Sequence, residues 1–393
     1  MNEPKLRFKA DDGSQFPDWK EKKIGELGIF TKGAPLSKAD ISDCGTPLIL
    51  YGELYTTYNE VAYDIQRRTQ STVDEKYYSL VGDVVIPTSG ETAEEISTAT
   101  CVMAQNVILA GDLNIYRSDI VDGRIMSYIL NHQAKWKIAT LAQGKSIVHI
   151  QAAQLSDVAI KYPPSTVEQQ KIAFLFTELD TLIQSAEKEL EGYRELKEGM
   201  LQKMFPKKGE TVPEIRFPEF TGDWELSILG EITKANPFKP FIAESASDGS
   251  YEVIQQGDTP ISGYANGQPF QNYENITLFG DHTLSLYKPK SPFFVASDGV
   301  KILSPSIDMN GLFYYYLLMK YKPNSEGYKR HYTIMKGCEA SYPSNRDEQI
   351  RIAEYFENLD NLIDSQQQEL DGYKELKKGL LQQMFCQQKD SSR

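Results

Sequence analysis

EQQKIAFLFTELDTLIQSAEKELEGYRELKEGMLQKMF runs from Glu168 to Phe205, and EQIRIAEYFENLDNLIDSQQQELDGYKELKKGLLQQMF runs from Glu348 to Phe385. Set against each other at a fixed offset of 180, residues 163–205 and 343–385 share 23 identities in 43 positions with no gap. Chance would give only a few, so the chain contains an internal repeat. In the first copy Ile172, Phe176, Leu179, Ile183, Ala186, Leu190 and Tyr193 recur at alternating spacings of four and three. In the second, Ile352, Phe356, Leu359, Ile363, Gln366, Leu370 and Tyr373 keep the same rhythm. A period of 3.5 residues is the seam of a left-handed coiled coil. A helix of about 35 residues would be roughly 50 Å long.

The ends of these helices are marked. Prolines precede each copy (Pro163 and Pro164; Pro343), Ser165 or Thr166 and Ser344 or Asn345 can cap, and Pro206 stops the first helix. Gly192, Gly199, Gly372 and Gly379 each cost about 1 kcal/mol inside a helix, which makes sense where another backbone or a partner comes close. Two similar helices in one chain pack most readily on each other, antiparallel, about a pseudo-two-fold axis. That axis would bring the mid-helix residues Ala186 and Gln366 together, a small residue against a polar one that fixes register.

The repeat extends upstream, more faintly. LRF (Leu6 to Phe8), DW (Asp18–Trp19) and IGEL (from Ile24) precede the first helix. IRF (Ile215 to Phe217), DW (Asp223–Trp224) and LGEI (from Leu229) stand in the second half. Residues 1–162 and 206–342 are otherwise dissimilar. Both are β-rich: VGDVVIPTSG (Val81 to Gly90) is a strand running into a polar turn, and Val253 to Phe270 is a series of short strands broken by Gly, Pro and Asn-Gly. The expected fold is therefore α+β, with two β-rich α/β domains separated by two long antiparallel helices. The segments are 1–162, 163–205, 206–342 and 343–385, followed by a tail at 386–393.

Composition narrows the function. The net charge is −13, divided as −4 over 1–162 and −3 over each of 163–205, 206–342 and 343–393. This even acidity argues against a protein that coats DNA through a broad basic surface. The start MNEPKLRFKADDG has no apolar stretch of the kind a signal peptide needs, and no run is long enough to cross a membrane. A cytoplasmic protein is expected. Cys44, Cys101, Cys338 and Cys386 are scattered, as are His132, His149, His282 and His331, so no metal-ligand spacing arises. ANPFKP is a poor approach to an adenine-methylase NPPY motif. PDWK (Pro17 to Lys20) lacks the strand and second acid of a nuclease, and its tryptophan fits packing at the start of a domain. No phosphate-binding loop is present.

The order variable segment, long helix, variable segment, long helix resembles the specificity subunit of type I restriction–modification enzymes. The residues that carry the resemblance are P-x₄-EQ-x-x-I-A-x-x-F-x-x-L-D-x-L-I at Pro163 to Ile183 and Pro343 to Ile363, and E-L-x-G-Y-x-E-L-K-x-G-x-L-Q-x-M-F after each. The resemblance implies two target recognition domains, each reading half of a split double-stranded DNA sequence. It implies helices that set the distance between half-sites and dock two methylation subunits, and restriction subunits held through those. S-adenosylmethionine and ATP with magnesium would then belong to the partners, leaving this chain without catalytic residues, cofactor or metal.

Within that reading, local clusters of cationic and polar residues are the candidate DNA contacts. They are Arg67, Arg68, Thr88, Ser89, Lys145, Ser146 and His149 in the first domain, and Tyr264, Lys288, Lys290, Lys329, Arg330 and His331 in the second. Replacing Arg67 and Arg68 should flatten the salt dependence of binding. Ile172, Phe176, Leu179, Ile183, Leu190 and Tyr193, with Ile352, Phe356, Leu359, Ile363, Leu370 and Tyr373, are the candidates for helix pairing and subunit docking. One departure stands out: a strand precedes the first helix in QGKSIVHIQAAQLSDVAIKYPP (Gln143 to Pro164), but HYTIMKGCEASYPS before the second is shorter and lacks a clear one. A competing reading is a coiled-coil adaptor that joins proteins without binding DNA; a DNA-modifying enzyme is a third.

Overall fold

The computed structural model describes residues 4–144, 147–325, 327 and 329–385. The chain divides into two compact units, Met1–Ser185 with Leu370–Arg393, and Ala186–Glu369. The tail at 386–393, with Cys386, lies outside the described residues.

In the first unit the main sheet has the order β2-β10-β6-β8-β4, from β2 (Ile29–Lys32), β4 (Val61–Ala62), β6 (Asp83–Pro87), β8 (Thr100–Val102) and β10 (Leu113–Arg117). A second sheet joins β3 (Thr46–Leu50) to β5 (Arg68–Thr69), antiparallel, and to β9 (Ile108–Ala110), parallel. Two short pairs complete it: β7 (Ser89–Gly90) with β11 (Val148–His149), and β1 (Lys20–Lys23) with β12 (Ala159–Tyr162). Short helices α1 (Ala93–Ile96), α2 (Gly123–Tyr128), α3 (Lys135–Leu141) and α4 (Ala152–Ser156) cover the sheets. The long helix α5 is Thr166–Met204, with Ser165 Oγ accepting from the Glu168 N–H at 3.4 Å as its cap.

The second unit repeats the plan with other residues. β13 (Glu225–Ile228) leads to α6 (Leu229–Ile232). The main sheet runs β14-β20-β17-β18, from β14 (Thr233–Asn236), β17 (Thr277–Gly280), β18 (Leu286–Tyr287) and β20 (Val300–Pro305). β15 (Tyr251–Ile254) again has one antiparallel neighbour, β16 (Ile261–Ala265), and one parallel, β19 (Phe293–Val295). Helices α7 (Gly311–Tyr321) and α8 (His331–Lys336) follow, then β21 (Glu339–Tyr342) and the long α9 (Arg346–Met384), capped by Asn345 Oδ1 on the Asp347 N–H at 2.8 Å. The strand missing from the sequence reading of the second junction is thus present. β21 pairs β13 as Glu225↔Tyr342 through Ile228↔Glu339, the register in which β12 pairs β1. Only Ala340, Ser341 and Tyr342 of its four residues are buried, and the pairing with β13 defines it more than its own composition does.

The repeated motifs hold each unit together in the same way. Glu168 is fully buried and accepts from Arg7 Nε and Nη2, both at 3.0 Å, and from Trp19 Nε1 at 3.4 Å. Glu348 accepts from Arg216 Nε at 2.7 Å, Arg216 Nη2 at 2.8 Å and Trp224 Nε1 at 3.2 Å. The neighbouring glutamines are clamps. Gln169 accepts from the Asp122 N–H at 2.7 Å and donates to the Pro163 carbonyl at 2.8 Å; Gln349 does the same to Asn310 and Pro343, at 2.9 and 2.7 Å. Asp122 and Asn310 cap α2 and α7, so the EQ pair ties each long helix to the domain it supports.

The long helices run antiparallel within each unit. In the first, Phe385 is fully buried against Trp19, Tyr128 and Phe176, with ring centroids 5.7 to 6.1 Å apart, and Lys377 Nζ lies 2.8 Å from Asp180. In the second, Phe205 packs on Trp224, Phe313 and Phe356, and Lys197 pairs with Asp360. Arg194 Nη2 donates to Gln367 Oε1 at 3.1 Å. This register corrects the expected pairing of Ala186 with Gln366, because the position facing Gln367 lies eight residues beyond Ala186. The buried phenylalanines at the helix ends, not the helix midpoints, decide where the helices meet.

Candidate nucleic-acid interface

In the first unit the C-terminal end of β6 and the N-terminal end of β10 share one edge of the main sheet, and several turns gather there. Thr88 donates its N–H to the Asp112 carbonyl at 2.8 Å, and Ser89 Oγ donates to Asp112 Oδ2 at 2.6 Å. Gly111, at φ +74°, makes the tight turn into Asp112 that a side chain would strain. Ser89 lies opposite His149, and the Ile150 N–H reaches the Thr88 carbonyl at 3.0 Å. Tyr51 borders Gly111, and Tyr51 and Tyr55 form a T-shaped pair 6.4 Å apart on the following turn. Burial, with smaller contributions from the charges of Tyr51, Glu95 and Glu91, pushes the Tyr55 hydroxyl up to about 12, so it stays a neutral donor.

Thr88, Ser89 and His149 are therefore brought together, with His149 exposed and the Ser89 hydroxyl already committed to Asp112. Lys145 and Ser146 lie outside the described residues. Arg67 is not a free cation: its Nε donates to Glu53 Oε1 at 3.0 Å. Glu53 is only 6% exposed and also accepts from the Leu50 N–H at 2.9 Å. Arg67 thus holds the turn that carries Tyr51 and Tyr55, and Arg68 sits half-buried in β5 of the second sheet.

The equivalent edge of the second unit is built differently. Asp281 stands where Thr88 does, its carbonyl accepting the His331 N–H at 2.7 Å. Its buried carboxylate pairs with Lys301 at 3.4 Å and accepts from the Tyr332 N–H at 2.9 Å. Gln256 accepts from the His282 N–H at 3.0 Å, and Ser285 Oγ from the Gly257 N–H at 2.9 Å. A cavity of about 270 Å³ opens between these turns, lined by Gln255, Asp258, Ser285 and Tyr287. Lys329 and Arg330 are exposed, Arg330 3.6 Å from Asp298.

Other candidates fall elsewhere. His331 is fully buried in the position of Ile150, a core residue and not a surface contact. Lys288 donates to the carbonyls of Glu274 and Ile276, the latter at 2.9 Å, at the opposite end of β17 from Asp281. Burial lowers its pKa to about 8 against the opposing charges of Glu274 and Glu357. Lys290 is exposed beside Asp364 at 3.8 Å, and Tyr264 is exposed on β16 in the other sheet. Tyr51, Tyr55, Asp112, Gln256, Asp281 and Ser285 were not singled out by sequence. The run YGELYTTYN around the first pair is the only linear cue, since the rest meet through sheet topology. Of the helix residues, Ile172, Phe176, Leu179, Leu190, Ile352, Phe356, Leu359 and Leu370 are buried and line the seam between the helices, and Ile183, Tyr193, Ile363 and Tyr373 are half-buried.

Two units with one scaffold and two differently built loop edges describe a modular recognition protein. Residues 17–192 and 221–372 match the family described as type I restriction modification DNA specificity domain, and the chain belongs to that family. It is 21% identical to the type I restriction enzyme MjaVIII specificity subunit of Methanocaldococcus jannaschii, over 95% of this chain and 94% of that one. It is 22% identical to the putative MjaX specificity subunit of the same organism, over 71% and 67%. Its fold is that of the type I restriction–modification S subunit from M. genitalium, with a TM-score of 0.68 at 16% identity over 98% of this chain and 99% of the other. Among the described residues no helix is long and apolar enough to cross a membrane.

Proposed function

We propose that this chain is the non-catalytic reading subunit of a type I restriction–modification complex, with residues 1–162 and 206–342 each recognising one half of an asymmetric bipartite DNA target. Helices 163–205 and 343–385 fix the separation of the half-sites and dock two methylation subunits, which carry the S-adenosylmethionine chemistry; ATP and magnesium act in restriction subunits held through them. The observation that carries this reading is the contrast between the units. Their anchoring residues repeat one for one, whereas the edge formed by Thr88, Asp112 and His149 in one is formed by Asp281, Gln256 and Arg330 in the other. Contacts that position should repeat, and contacts that specify should differ. Sequencing of methylated adenines in cells with and without the gene tests it. A two-part motif that disappears with the gene is expected; an unchanged methylation pattern would favour the protein adaptor.

A further inference from the structure

One hydrogen bond recurs at the loop edges of both units. In the first, the Ile150 N–H donates to the Thr88 carbonyl at 3.0 Å; in the second, the His331 N–H donates to the Asp281 carbonyl at 2.7 Å. Thr88 directly follows β6 and Asp281 directly follows β17, and Ile150 and His331 are both fully buried. The residue before each of these anchors therefore occupies the same place in the two folds, although Val-His-Ile (Val148 to Ile150) and Lys-Arg-His (Lys329 to His331) share no residue in register. That residue is His149 in one unit and Arg330 in the other, and both are exposed. The backbone around it is pinned. The His149 N–H donates to the Gln143 carbonyl at 2.8 Å, and His149 pairs with Ser89. His282 Nδ1 lies 3.2 Å from the Lys329 carbonyl oxygen, and the Tyr332 N–H donates to Asp281 at 2.9 Å. A fixed backbone carrying an exposed side chain of different chemistry is what a reading position requires.

Arg330 differs from other cations near the two edges. Arg67 is committed to the buried Glu53, and Lys301 to the buried Asp281. Arg330 is 66% exposed and Asp298 61%, with Nη2 3.6 Å from Oδ2. Such a solvated pair adds little to the stability of the fold and is readily exchanged for contacts with DNA. A carboxylate this close to the guanidinium tells against a phosphate as its ligand, because it would repel one. Against a base edge the same carboxylate is useful. It holds the planar fork of the guanidinium in place and leaves N–H groups for the two acceptors, O6 and N7, that guanine presents in the major groove.

We infer that His149 and Arg330 are one specificity-determining position held by different residues in the two units, and that Arg330, oriented by Asp298, reads a guanine in the half-site of the second unit. This rests on the reading above, in which each unit recognises one half of a DNA target. The shared anchor hydrogen bond sets the depth of the position, and the side chain placed on it sets the base.

The test uses the full-length chain with the methylation subunit of its system, the methylated motif read by sequencing and affinity measured by titration on the wild-type target and its single-base variants. Arg330→Ala should leave the melting temperature unchanged, weaken binding to the wild-type target about tenfold or more, and relax the motif at one G·C pair. Placing 7-deazaguanine, which lacks N7, at that pair should weaken the wild-type complex and leave the Arg330→Ala complex as it was. Arg330→Lys should not restore discrimination, since an ammonium has no fork, and Asp298→Asn should blur the same pair. His149→Ala should relax the motif in the other half. If Arg330→Ala weakens all sequences alike and Arg330→Lys recovers them, the residue is a phosphate contact and the inference is overturned. Relaxation of the same half by the His149 and Arg330 variants, or an unchanged motif in either, would also overturn it. A wild-type chain with no preference for any DNA sequence would sink the underlying reading and the inference with it.

Discussion

At the scale of single residues, each unit depends on buried charges with named partners. Removing one partner of a buried, hydrogen-bonded ion pair typically costs about 3–5 kcal/mol, because the other charge is left unsolvated. Arg216→Ala strips the bidentate partner from Glu348 and should destabilise the second unit by about 3 kcal/mol, read by hydrogen exchange of β13 and β21 against the strands of the first unit. A pH dependence belongs to Glu60. Its burial favours the neutral acid, but the hydrogen bond to His132 and the charge of Lys377 outweigh it and hold the carboxyl well below its ordinary 4.5. A depressed carboxylate contributes stability above its unfolded pKa and loses it as pH falls toward the folded value. Glu60→Gln should therefore be less stable than wild type near neutrality, with the difference shrinking below about pH 4.5. At the loop edge proposed to meet DNA, Arg67→Ala should leave the salt slope of binding unchanged, whereas Lys329→Ala with Arg330→Ala should reduce it by about one for each phosphate contact removed. LRF, DW and EQ were visible in the sequence as a repeated set. Their convergence on Glu168 and Glu348 was not, because the arginine lies 161 residues from its glutamate in one unit and 132 in the other.

At the scale of elements, the long helices were legible from end to end, since a 3.5-residue period with proline and Ser or Asn at the start leaves little choice. Their register was not. A midpoint argument treats the helices as free rods, whereas Phe205 and Phe385 are the plugs of two domain cores. Phe385→Ala should cost about 3–5 kcal/mol in the first unit and leave the second unaffected, measured by separate unfolding probes in each. β21 escaped notice because Glu-Ala-Ser-Tyr has no strand signature of its own, and its hydrogen bonds come from β13. The loop edges were half legible: TSG at Thr88 to Gly90 announces a turn, but nothing local predicts that Asp112 or Tyr51 will stand beside it. Cationic residues were over-weighted for the same reason, since Arg67 and Lys288 look solvated until Glu53 and the Glu274 carbonyl are in place.

At the scale of the whole molecule, the account rests on division of labour. Each unit pairs a strand before its domain with a strand after it in one register, β1 with β12 and β13 with β21. Each delivers its domain to the long helices through the same glutamate and glutamine. What lies between those strands can therefore change without disturbing what holds it, which explains why residues 24–158 and 229–338 share a plan and little sequence. The most direct measurement is the adenine-methylation motif specified by a chimera in which residues 229–338 are replaced by residues 24–158, giving the first head twice. The account predicts a symmetric motif in which one half of the wild-type target appears on both sides of the spacer; a motif unchanged from wild type would contradict it.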